Sequence, residues 1–245
     1  MIPRITILCV TYHSDDCCRK YTDSIRRAAE KVSGRAVVDI HVAVNDNDNR
    51  GYFGGIKELI RTGYEESDYV IISNVDLLMQ EDFFEHLLEL KLNDDIGCIA
   101  PSIYSESEQQ ERNPEYAVRP QKSRLRIARL LYIHPLVFHL YKNLVYRRRQ
   151  PKKTPTADCY IYAPHGSFMI FTNDIWLRRV VMNFEPFLYG EEIYLAEQLK
   201  KAGMKTLFAP KLRITDLDHV STSTLPSKLI CQCHREALGF ILKDF

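Results

Sequence analysis

The chain has 245 residues, 45% of them hydrophobic, which is enough for one large α/β domain or two small ones. Its first apolar run is too short for a secretory signal, and no stretch approaches the roughly 18 apolar residues of a membrane span. Seven cysteines without a framework spacing indicate a reducing compartment, so we expect a cytoplasmic protein that is neither exported nor membrane-spanning.

The first elements alternate between strand and helix patterns. Residues 4–10 are predicted to form a strand, and a helix follows to about residue 32 after the capping candidates Ser14 and Asp15. A second β-rich run, 37–44, ends in a polar sequence. Strand, helix and strand in this order predict a right-handed βαβ unit with a parallel strand pair.

A glycine-rich turn, Asn49-Arg50-Gly51-Tyr52-Phe53-Gly54-Gly55, leads into a predicted helix over 56–62. Glycines at the start of a helix would let backbone N–H groups approach a diphosphate. The same pattern is also typical of an ordinary turn that binds nothing.

The stretch from Tyr69 to Asp76 is an apolar run that stops on a short polar cluster. It predicts a buried strand that delivers Asn74 and Asp76 to its C-terminal end, where ligands bind in open α/β sheets. Alternatively, Asn74 or Asp76 caps a helix predicted over 81–92. A further strand, 96–100, continues the alternation, which predicts a nucleotide-type parallel sheet.

A polar segment, 102–115, is predicted to be a loop and precedes a block of basic residues. From 116 to 157 the chain has no Asp or Glu and carries +11, so the rest of the chain carries −10 within a net charge of +1. Two apolar helices are predicted in this block, 125–134 and 136–146, with Pro135 as a break or as the first residue of the second. Such segregated charge predicts an anionic partner.

Apolar and aromatic residues interleaved with cations suit a helix that lies on an anionic bilayer. The cations expected to contact this membrane surface are Arg126, Arg129, Arg147, Arg148 and Arg149. A solvated basic hairpin packed on the domain is the structural alternative. Nucleic acid is a less favoured partner, because no recognised nucleic-acid module accompanies the charge.

The C-terminal part returns to alternating elements. Its patterns predict strands over 159–163, 166–171 and 206–209, and helices over 174–181, 191–203 and 226–242. The helix that begins at residue 191 has the clearest pattern, with acids in its first turn, lysines in its last turn and Gly203 after its end.

The last predicted helix contains Cys231, Cys233 and His234, whose residue types resemble metal ligands. Neighbours two apart on a helix point in different directions, and the sequence has no second ligand pair. Ordinary helix residues are therefore favoured over a zinc site.

The order of these motifs resembles the family 2 glycosyltransferases, which have the GT-A fold, over nearly the whole chain. The motifs that carry the resemblance are the first strand with Thr11-Tyr12, Asp46-Asn47, Asn49-x-Gly51-x-x-Gly54-Gly55, Asn74-x-Asp76, Gly166-Ser167-Phe168-Met169, Phe187-Leu188-Tyr189-Gly190-Glu191-Glu192, and His219 with Ser221-Thr222-Ser223. The resemblance implies an α/β fold of GT-A type, with a Rossmann-like, mostly parallel central sheet flanked by helices and a basic helical insertion. We expect a single domain, 1–245, with a nucleotide-binding half of about 1–101, the insertion at about 116–157, an acceptor and catalytic half of about 158–225 and a C-terminal helix of about 226–243.

The resemblance also implies a nucleotide-sugar donor and a divalent cation. Asp76 falls at the family's metal-ligand position and His219 at the position that reaches the same metal; carboxylate and imidazole suit Mn²⁺ or Mg²⁺. Positions expected to contact the donor are Thr11, Tyr12, Asp46, Asn49, Gly51, Gly54 and Asn74. The connection from Asp46-Asn47 to Asn49 is shorter than in most family members, which leaves open a reshaped pocket or a different role for Asp46.

Glu191 and Glu192 match an acid pair that begins a helix in the family. The resemblance implies that Glu192 takes the proton of the acceptor hydroxyl, that Glu191 positions the acceptor or the loop, and that the anomeric configuration is inverted in a single displacement. The family's second acid is Asp, so a Glu here leaves open which of the two reaches the hydroxyl. Two acids that only stabilise a helix N-terminus are the structural alternative.

The expected function is therefore transfer of a sugar to a glycan acceptor, which the basic block suggests is lipid-linked, in bacterial capsule, O-antigen or exopolysaccharide synthesis. The enzyme would lie at the inner face of the cell membrane. One alternative is a sugar-nucleotide nucleotidyltransferase, although residues 11–17 lack the glycines of its signature. The other is a non-catalytic α/β module that docks on a membrane.

Overall fold

The computed structural model describes residues 2–145, 154–217 and 226–245. Its strands are β1 (Arg4–Thr11), β2 (Val37–Val44), β3 (Tyr69–Asn74), β4 (Leu77–Met79), β5 (Ile96–Ser105), β6 (Gln110–Glu111), β7 (Cys159–Ile161), β8 (Phe168–Phe171) and β9 (Lys205–Asp216). Its helices are α1 (Asp15–Glu30), α2 (Tyr52–Thr62), α3 (Phe83–Glu89), α4 (Lys122–Leu131), α5 (Pro135–Val145), α6 (Asp174–Asn183), α7 (Glu191–Lys201) and α8 (Ser227–Asp244).

One sheet organises these elements, in the order β2-β1-β3-β8-β5-β9-β4, with β6 added to β5 and β7 added to β9. The three long pairings, β1 with β2, β1 with β3 and β5 with β9, are parallel, whereas the antiparallel pairings involve two to four residues each. The predicted α/β class with a mostly parallel central sheet is therefore confirmed. Because β1, β2 and β3 run in the same direction, their carboxyl ends meet at one edge of the sheet.

Helices cover both faces of the sheet. In β3, Ile71 packs into a core shared with α1 and α3, whereas Val70 and Ile72 pack into a second core shared with α2, α6, α7 and α8. Successive side chains of a strand point to opposite faces, so a strand covered on both sides needs a continuous apolar run. This requirement explains the unbroken apolar pattern of residues 70–72.

The sheet extends beyond the predicted strands in two places. Residues 102–115, predicted to be a loop, contain the end of β5 and the short strand β6, which pairs with it as a hairpin. β9 continues past the predicted strand, 206–209, to Asp216. Its pairing with β5 skips residues 210–212, and this irregularity accommodates Pro210, which a regular ladder would not.

The basic insertion contains the helices α4 and α5. Leu125 is buried, and with Ala128 and Tyr132 it packs α4 against the core that includes α8. Pro135 is the first residue of α5, which is one of the two predicted alternatives. Within the described ranges, no helix is both long enough and apolar enough to cross a bilayer.

Candidate active site

A pocket of about 110 Å³ opens at the edge of the sheet where β1 and β3 end. Its lining residues come from the strand ends and the loops that follow them: Val10, Tyr12, Asn45, Asn49, Gly51, Tyr52, Asn74, Val75, Asp76 and Leu188. Ligands bind at such carboxyl ends in α/β sheets. The structure thus brings together, around one space, Tyr12, Asn49, Gly51, Asn74 and Asp76 from the predicted site.

Asp76 lies in the turn between β3 and β4. β4 separates it from α3, whose N-cap position is Asp82, so neither Asn74 nor Asp76 caps a helix. The capping alternative is therefore wrong. This turn instead presents both residues to the pocket.

The end of β9 approaches the same turn. β4 pairs antiparallel with β9, and the N–H of Leu217 donates to the carbonyl oxygen of Asp76 at 2.9 Å. The chain thus reaches the backbone of Asp76 two residues before His219. His219 itself lies outside the described residues, as do Arg147, Arg148 and Arg149.

The loop from β2 to α2 is closed by its own side chains. Asn45 Nδ2 donates to the carbonyl oxygen of Gly51 at 3.0 Å, and Asn49 Oδ1 accepts from the Gly51 N–H at 3.1 Å. Gly51 has φ +74°, and a Cβ added to it would lie 2.1 Å from the carbonyl oxygen of Phe187. The short connection is therefore a compact turn that is pressed against the loop before α7.

We expect Gly51→Ala to lower the free energy of unfolding by about 2–6 kcal/mol, because a backbone with φ +74° and ψ −178° costs a non-glycine residue about 1–3 kcal/mol and the displacement of Phe187 costs about as much again. Gly63→Ala is the matched control: Gly63 has φ +89° and ψ 149°, in the same glycine-favouring region, but no atom within 4 Å of an added Cβ. Urea unfolding of both variants separates backbone strain from the close contact. Equal losses in the two variants would show that the contact with Phe187 is not restrictive.

Three buried polar atoms beside the pocket have no hydrogen-bond partner among the residues that the structure describes: Thr11 Oγ1, Asn45 Oδ1 and Tyr52 OH. An unsatisfied buried group costs roughly 1–3 kcal/mol. Such groups at a pocket are typical of a binding site, where a ligand or a water supplies the missing partner. Asn45 and Tyr52 line the pocket directly. Thr11 is 2% exposed and precedes Tyr12, which also lines the pocket.

The acid pair begins α7 after a sharp turn. Tyr189 has φ +71°, and Gly190, at the N-cap position, has φ +85°. Glu191 is 6% exposed. The Glu192 carboxylate accepts a hydrogen bond from the N–H of Gly166, and a Cβ added to Gly166 would lie 2.6 Å from Glu192 Oε1. Gly166 thus allows the backbone before β8 to approach the carboxylate of Glu192.

Burial raises the pKa of both carboxyl groups. For Glu192 the negative charges of Glu191 and Glu115 raise the pKa further. A helix N-terminus is stabilised by exposed acids at about 0.3–1 kcal/mol, whereas burying a carboxylate costs more than that. Burial and a raised pKa favour a group that exchanges protons near neutral pH.

Tyr52 lines the pocket and has a buried hydroxyl. Burial, and then the negative charges of Glu191 and Glu192, raise the pKa of its hydroxyl well above the usual value. Tyr52 also lines the pocket together with Asp76. Leu188, which lies three residues before Glu191, lines the same pocket, so the loop that leads to the acid pair contributes to it.

Two predicted donor contacts lie beside this pocket. Asp46 lines an adjoining open cleft, where its carboxylate accepts a hydrogen bond from the N–H of His13 at 2.6 Å. Gly54 lies within α2, and a Cβ added to it would lie 2.8 Å from the Cβ of Arg50. Neither residue lines the pocket itself.

Several residues of the site were not assigned from the sequence. Asn45 precedes Asp46-Asn47, and Tyr52 lies in the glycine-rich motif, so both are next to residues that the sequence predicts to contact the donor. This adjacency was a signal that could have identified them. Glu115, which raises the pKa of Glu192, lies in a segment predicted to be a loop and had no such signal. Leu188 and Gly166 belong to motifs that carry the resemblance.

The fold is thus an α/β protein with a pocket at the carboxyl ends of its parallel strands and an acid pair at the start of α7. A family model described as "Glycosyltransferase like family 2" matches residues 1–239. The chain belongs to this family, and the resemblance found in the sequence is confirmed at that level. A comparison with curated proteins finds no match.

Solved structures of glycosyltransferases are similar to this chain, and the first of them supports the GT-A fold. GalNAc-T7 with UDP, GalNAc and Mn²⁺ matches with TM-score 0.52 and 12% identity, over 94% of this chain and 47% of that one. Drosophila β1,4-galactosyltransferase 7 with xylobiose has TM-score 0.49 and 11% identity, over 90% of this chain and 67% of that one. A mutant of the Drosophila enzyme with manganese, UDP-Gal and xylobiose has TM-score 0.46 and 13% identity over the same shares, 90% and 67%. At such identities the likeness concerns the fold alone, and the chain spans about half the length of GalNAc-T7.

Proposed function

We propose that the protein transfers a sugar from a nucleoside-diphosphate sugar to a hydroxyl group of a glycan acceptor. The observation that carries this proposal is the pocket at the strand ends, which Asn74 and Asp76 line together with Leu188 from the loop that leads to Glu191 and Glu192. The reaction needs a carboxylate that holds the donor's metal and an acid that takes the proton of the acceptor, and Asp76 and the acid pair supply these residue types. Membership of the family supports the same reaction.

The proposed reaction is a single displacement. The acceptor oxygen attacks the anomeric carbon as Glu192 takes its proton, the new glycosidic C–O bond forms, and the bond from the anomeric carbon to the diphosphate oxygen breaks. The electron pair leaves with the nucleoside diphosphate, and the configuration is inverted. Glu191 holds the start of α7 in place, and the buried hydroxyl of Tyr52 offers a hydrogen bond to the bound substrates.

The residues present fit a divalent cation. Asp76 supplies a carboxylate, and the carboxamide of Asn74 lies beside it in the lining of the pocket. Mn²⁺ and Mg²⁺ prefer oxygen ligands, and Mg²⁺ sites commonly combine one or two carboxylates with substrate phosphates. No group of three or more His, Cys, Asp or Glu side chains gathers in the described part of the chain. When bound, the cation would neutralise the diphosphate leaving group.

Calorimetric titration with UDP, GDP and dTDP, in the presence and absence of Mn²⁺, tests the proposal. Transfer chemistry requires that one of these diphosphates binds and that Mn²⁺ strengthens the binding. Absence of binding under both conditions would favour a non-catalytic module. Release of pyrophosphate from a nucleoside triphosphate and a sugar phosphate would favour a nucleotidyltransferase.

We further propose that the acceptor is a lipid-linked glycan and that the protein acts at the inner face of the cell membrane, in synthesis of a bacterial surface polysaccharide. The support lies in α4 and α5. Their exposed large apolar side chains, each 43–72% exposed, are Ile127, Leu130, Ile133, Leu136, Val137 and Leu140. Lys122, Arg124 and Arg126 are exposed on the same helix pair, in a block without acids. Cations beside an apolar surface complement anionic lipid headgroups above acyl chains.

Replacing Leu130 and Leu136 together by Glu is expected to weaken binding to phosphatidylglycerol vesicles by more than about tenfold, because burying one Leu is worth about 1.5–3 kcal/mol. Sedimentation with vesicles measures the effect. Ile175→Glu is the control, since Ile175 is 71% exposed but lies on α6. Equal binding by the wild type and the double variant would contradict the membrane proposal.

A further inference from the structure

Four aromatic rings form a continuous stack from the acid-pair loop to the basic helices. The Tyr189 ring lies 3.7 Å from the His234 ring, centroid to centroid and at 10°, and His234 lies 4.3 Å from Tyr132 at 15°. Tyr132 in turn stacks on Phe138 at 5.1 Å and 28°. The stack therefore joins the residue before Gly190 to α8, to the end of α4 and to α5.

Helix α8 also contacts two of the elements that the stack joins, the turn before α7 and helix α4. On one side, a Cβ added to Gly190 would lie 2.7 Å from Ile241 Cδ1 and 3.4 Å from the Cβ of Ala237, so α8 fits closely against the turn before α7. On the other side, the guanidinium of Arg129, on α4, lies over Gly239, where an added Cβ would be 3.1 Å from one of its nitrogens. Arg129 thus lies against α8 while it remains exposed, and its predicted contact with lipid stays a prediction.

The loop that this stack reaches determines where the acid pair lies. Tyr189 has φ +71°, which costs a non-glycine residue about 1–2 kcal/mol and persists only when its surroundings fix it. Its neighbour Gly190 is the N-cap of α7, and Glu191 and Glu192 follow directly. Whatever restrains the ring of Tyr189 therefore restrains the start of α7.

His234 suits a stacking role better than a metal-binding one. Its ring lies between two tyrosine rings, and burial lowers its pKa to about 4. At neutral pH the ring is uncharged and packs as a flat aromatic surface. The Cys231–His234 sequence, which resembled metal ligands, thus provides a packing residue.

We propose that Tyr132, His234 and Tyr189 are positioning residues that transmit contact between α4–α5 and a membrane to the loop before Glu191 and Glu192. When the helix pair lies on a bilayer, Tyr132 and Phe138 are restrained, and the stack restrains Tyr189 and the acid pair. Sugar transfer is then favoured where a membrane-bound acceptor is present. This inference rests on the proposed membrane contact.

Amide hydrogen exchange of residues 187–192 tests the inference with the full chain, in the presence of vesicles of phosphatidylglycerol mixed with phosphatidylcholine and of phosphatidylcholine alone. In the wild type, the anionic vesicles are expected to slow exchange in this segment by about fivefold or more, the lower end of ordinary coupling between sites. His234→Ala is expected to bind the same vesicles but to lose this slowing. His234→Phe, which keeps a flat ring in the stack, is expected to retain it.

The outcomes distinguish failure of the coupling from failure of the membrane proposal. If the wild type binds the vesicles and exchange at 187–192 is unchanged, the coupling is wrong and the membrane proposal stands. If the wild type does not bind anionic vesicles, the membrane proposal fails and the coupling fails with it. Should His234→Ala prove unfolded by circular dichroism, Tyr132→Leu removes a ring while keeping an apolar side chain, and retained slowing in that variant would overturn the coupling.

Discussion

Asp76→Asn is expected to weaken Mn²⁺-dependent binding of the preferred nucleoside diphosphate by more than about a hundredfold, because loss of an outer-shell partner alone costs about 10–100-fold. Asn keeps the size of the side chain and one acceptor oxygen, but it replaces the other oxygen by an NH2 donor and removes the negative charge. Binding measured without metal should change little. Because Asp76 lies in a turn and caps no helix, we expect the variant to keep the fold, which circular dichroism would check.

Asp94→Asn is the matched control for this substitution. Asp94 is exposed and precedes β5, whose first residues lie at the opposite edge of the sheet, since β5 and β3 are both antiparallel to β8. It should bind the nucleotide as the wild type does. Retained metal dependence in Asp76→Asn would move the metal ligand elsewhere and remove the main support for the donor side of the site.

Glu192→Gln is expected to lower turnover by about 10²–10⁴-fold while leaving nucleoside-diphosphate binding intact, because a positioned base contributes about that much to the rate. The Gln side-chain oxygen can still accept from the N–H of Gly166, so the local geometry is kept. Glu191→Gln should reduce turnover less if Glu191 only positions the helix. The opposite order of losses would assign the base to Glu191.

The raised pKa values of the acid pair give this prediction a pH dependence. In the wild type, kcat/KM should rise with pH along a limb that lies well above the usual carboxyl pKa of about 4.3, because the base must lose its proton first. A limb at the usual carboxyl pKa would show that burial does not tune this group.

The raised pKa of Glu192 also predicts that Glu192→Gln stabilises the fold at pH values above that pKa. A group whose folded-state pKa is raised binds its proton more tightly in the folded state, so the wild type loses stability as pH rises from about 4.3 through the raised pKa. The Gln variant lacks this loss. Chemical denaturation at acidic and alkaline pH should therefore show a stability gain that grows with pH, whereas a pH-independent difference would contradict it.

Much of the framework followed from local patterns. The apolar run 70–72 had to be a strand covered on both faces, and the acids, lysines and Gly203 marked the ends of α7. Local patterns did not predict the strands that depend on pairing with other segments. β6 forms because it hydrogen-bonds to β5, and the last part of β9 forms because β4 and β5 flank it. A polar or proline-containing segment does not reveal such partners.

The sequence by itself determined the class of protein, because the order of strands, helices and short motifs is a one-dimensional property. It also identified Asp76 and the acid pair as candidates. Only the tertiary structure decided that Tyr52 and Leu188 line one pocket with Asp76, that Gly51 is pressed against Phe187, and that Asp46 lines a separate cleft. The stack from Tyr189 to Phe138 likewise joins residues far apart in the chain, because packing depends on distance in space, which a sequence pattern does not contain.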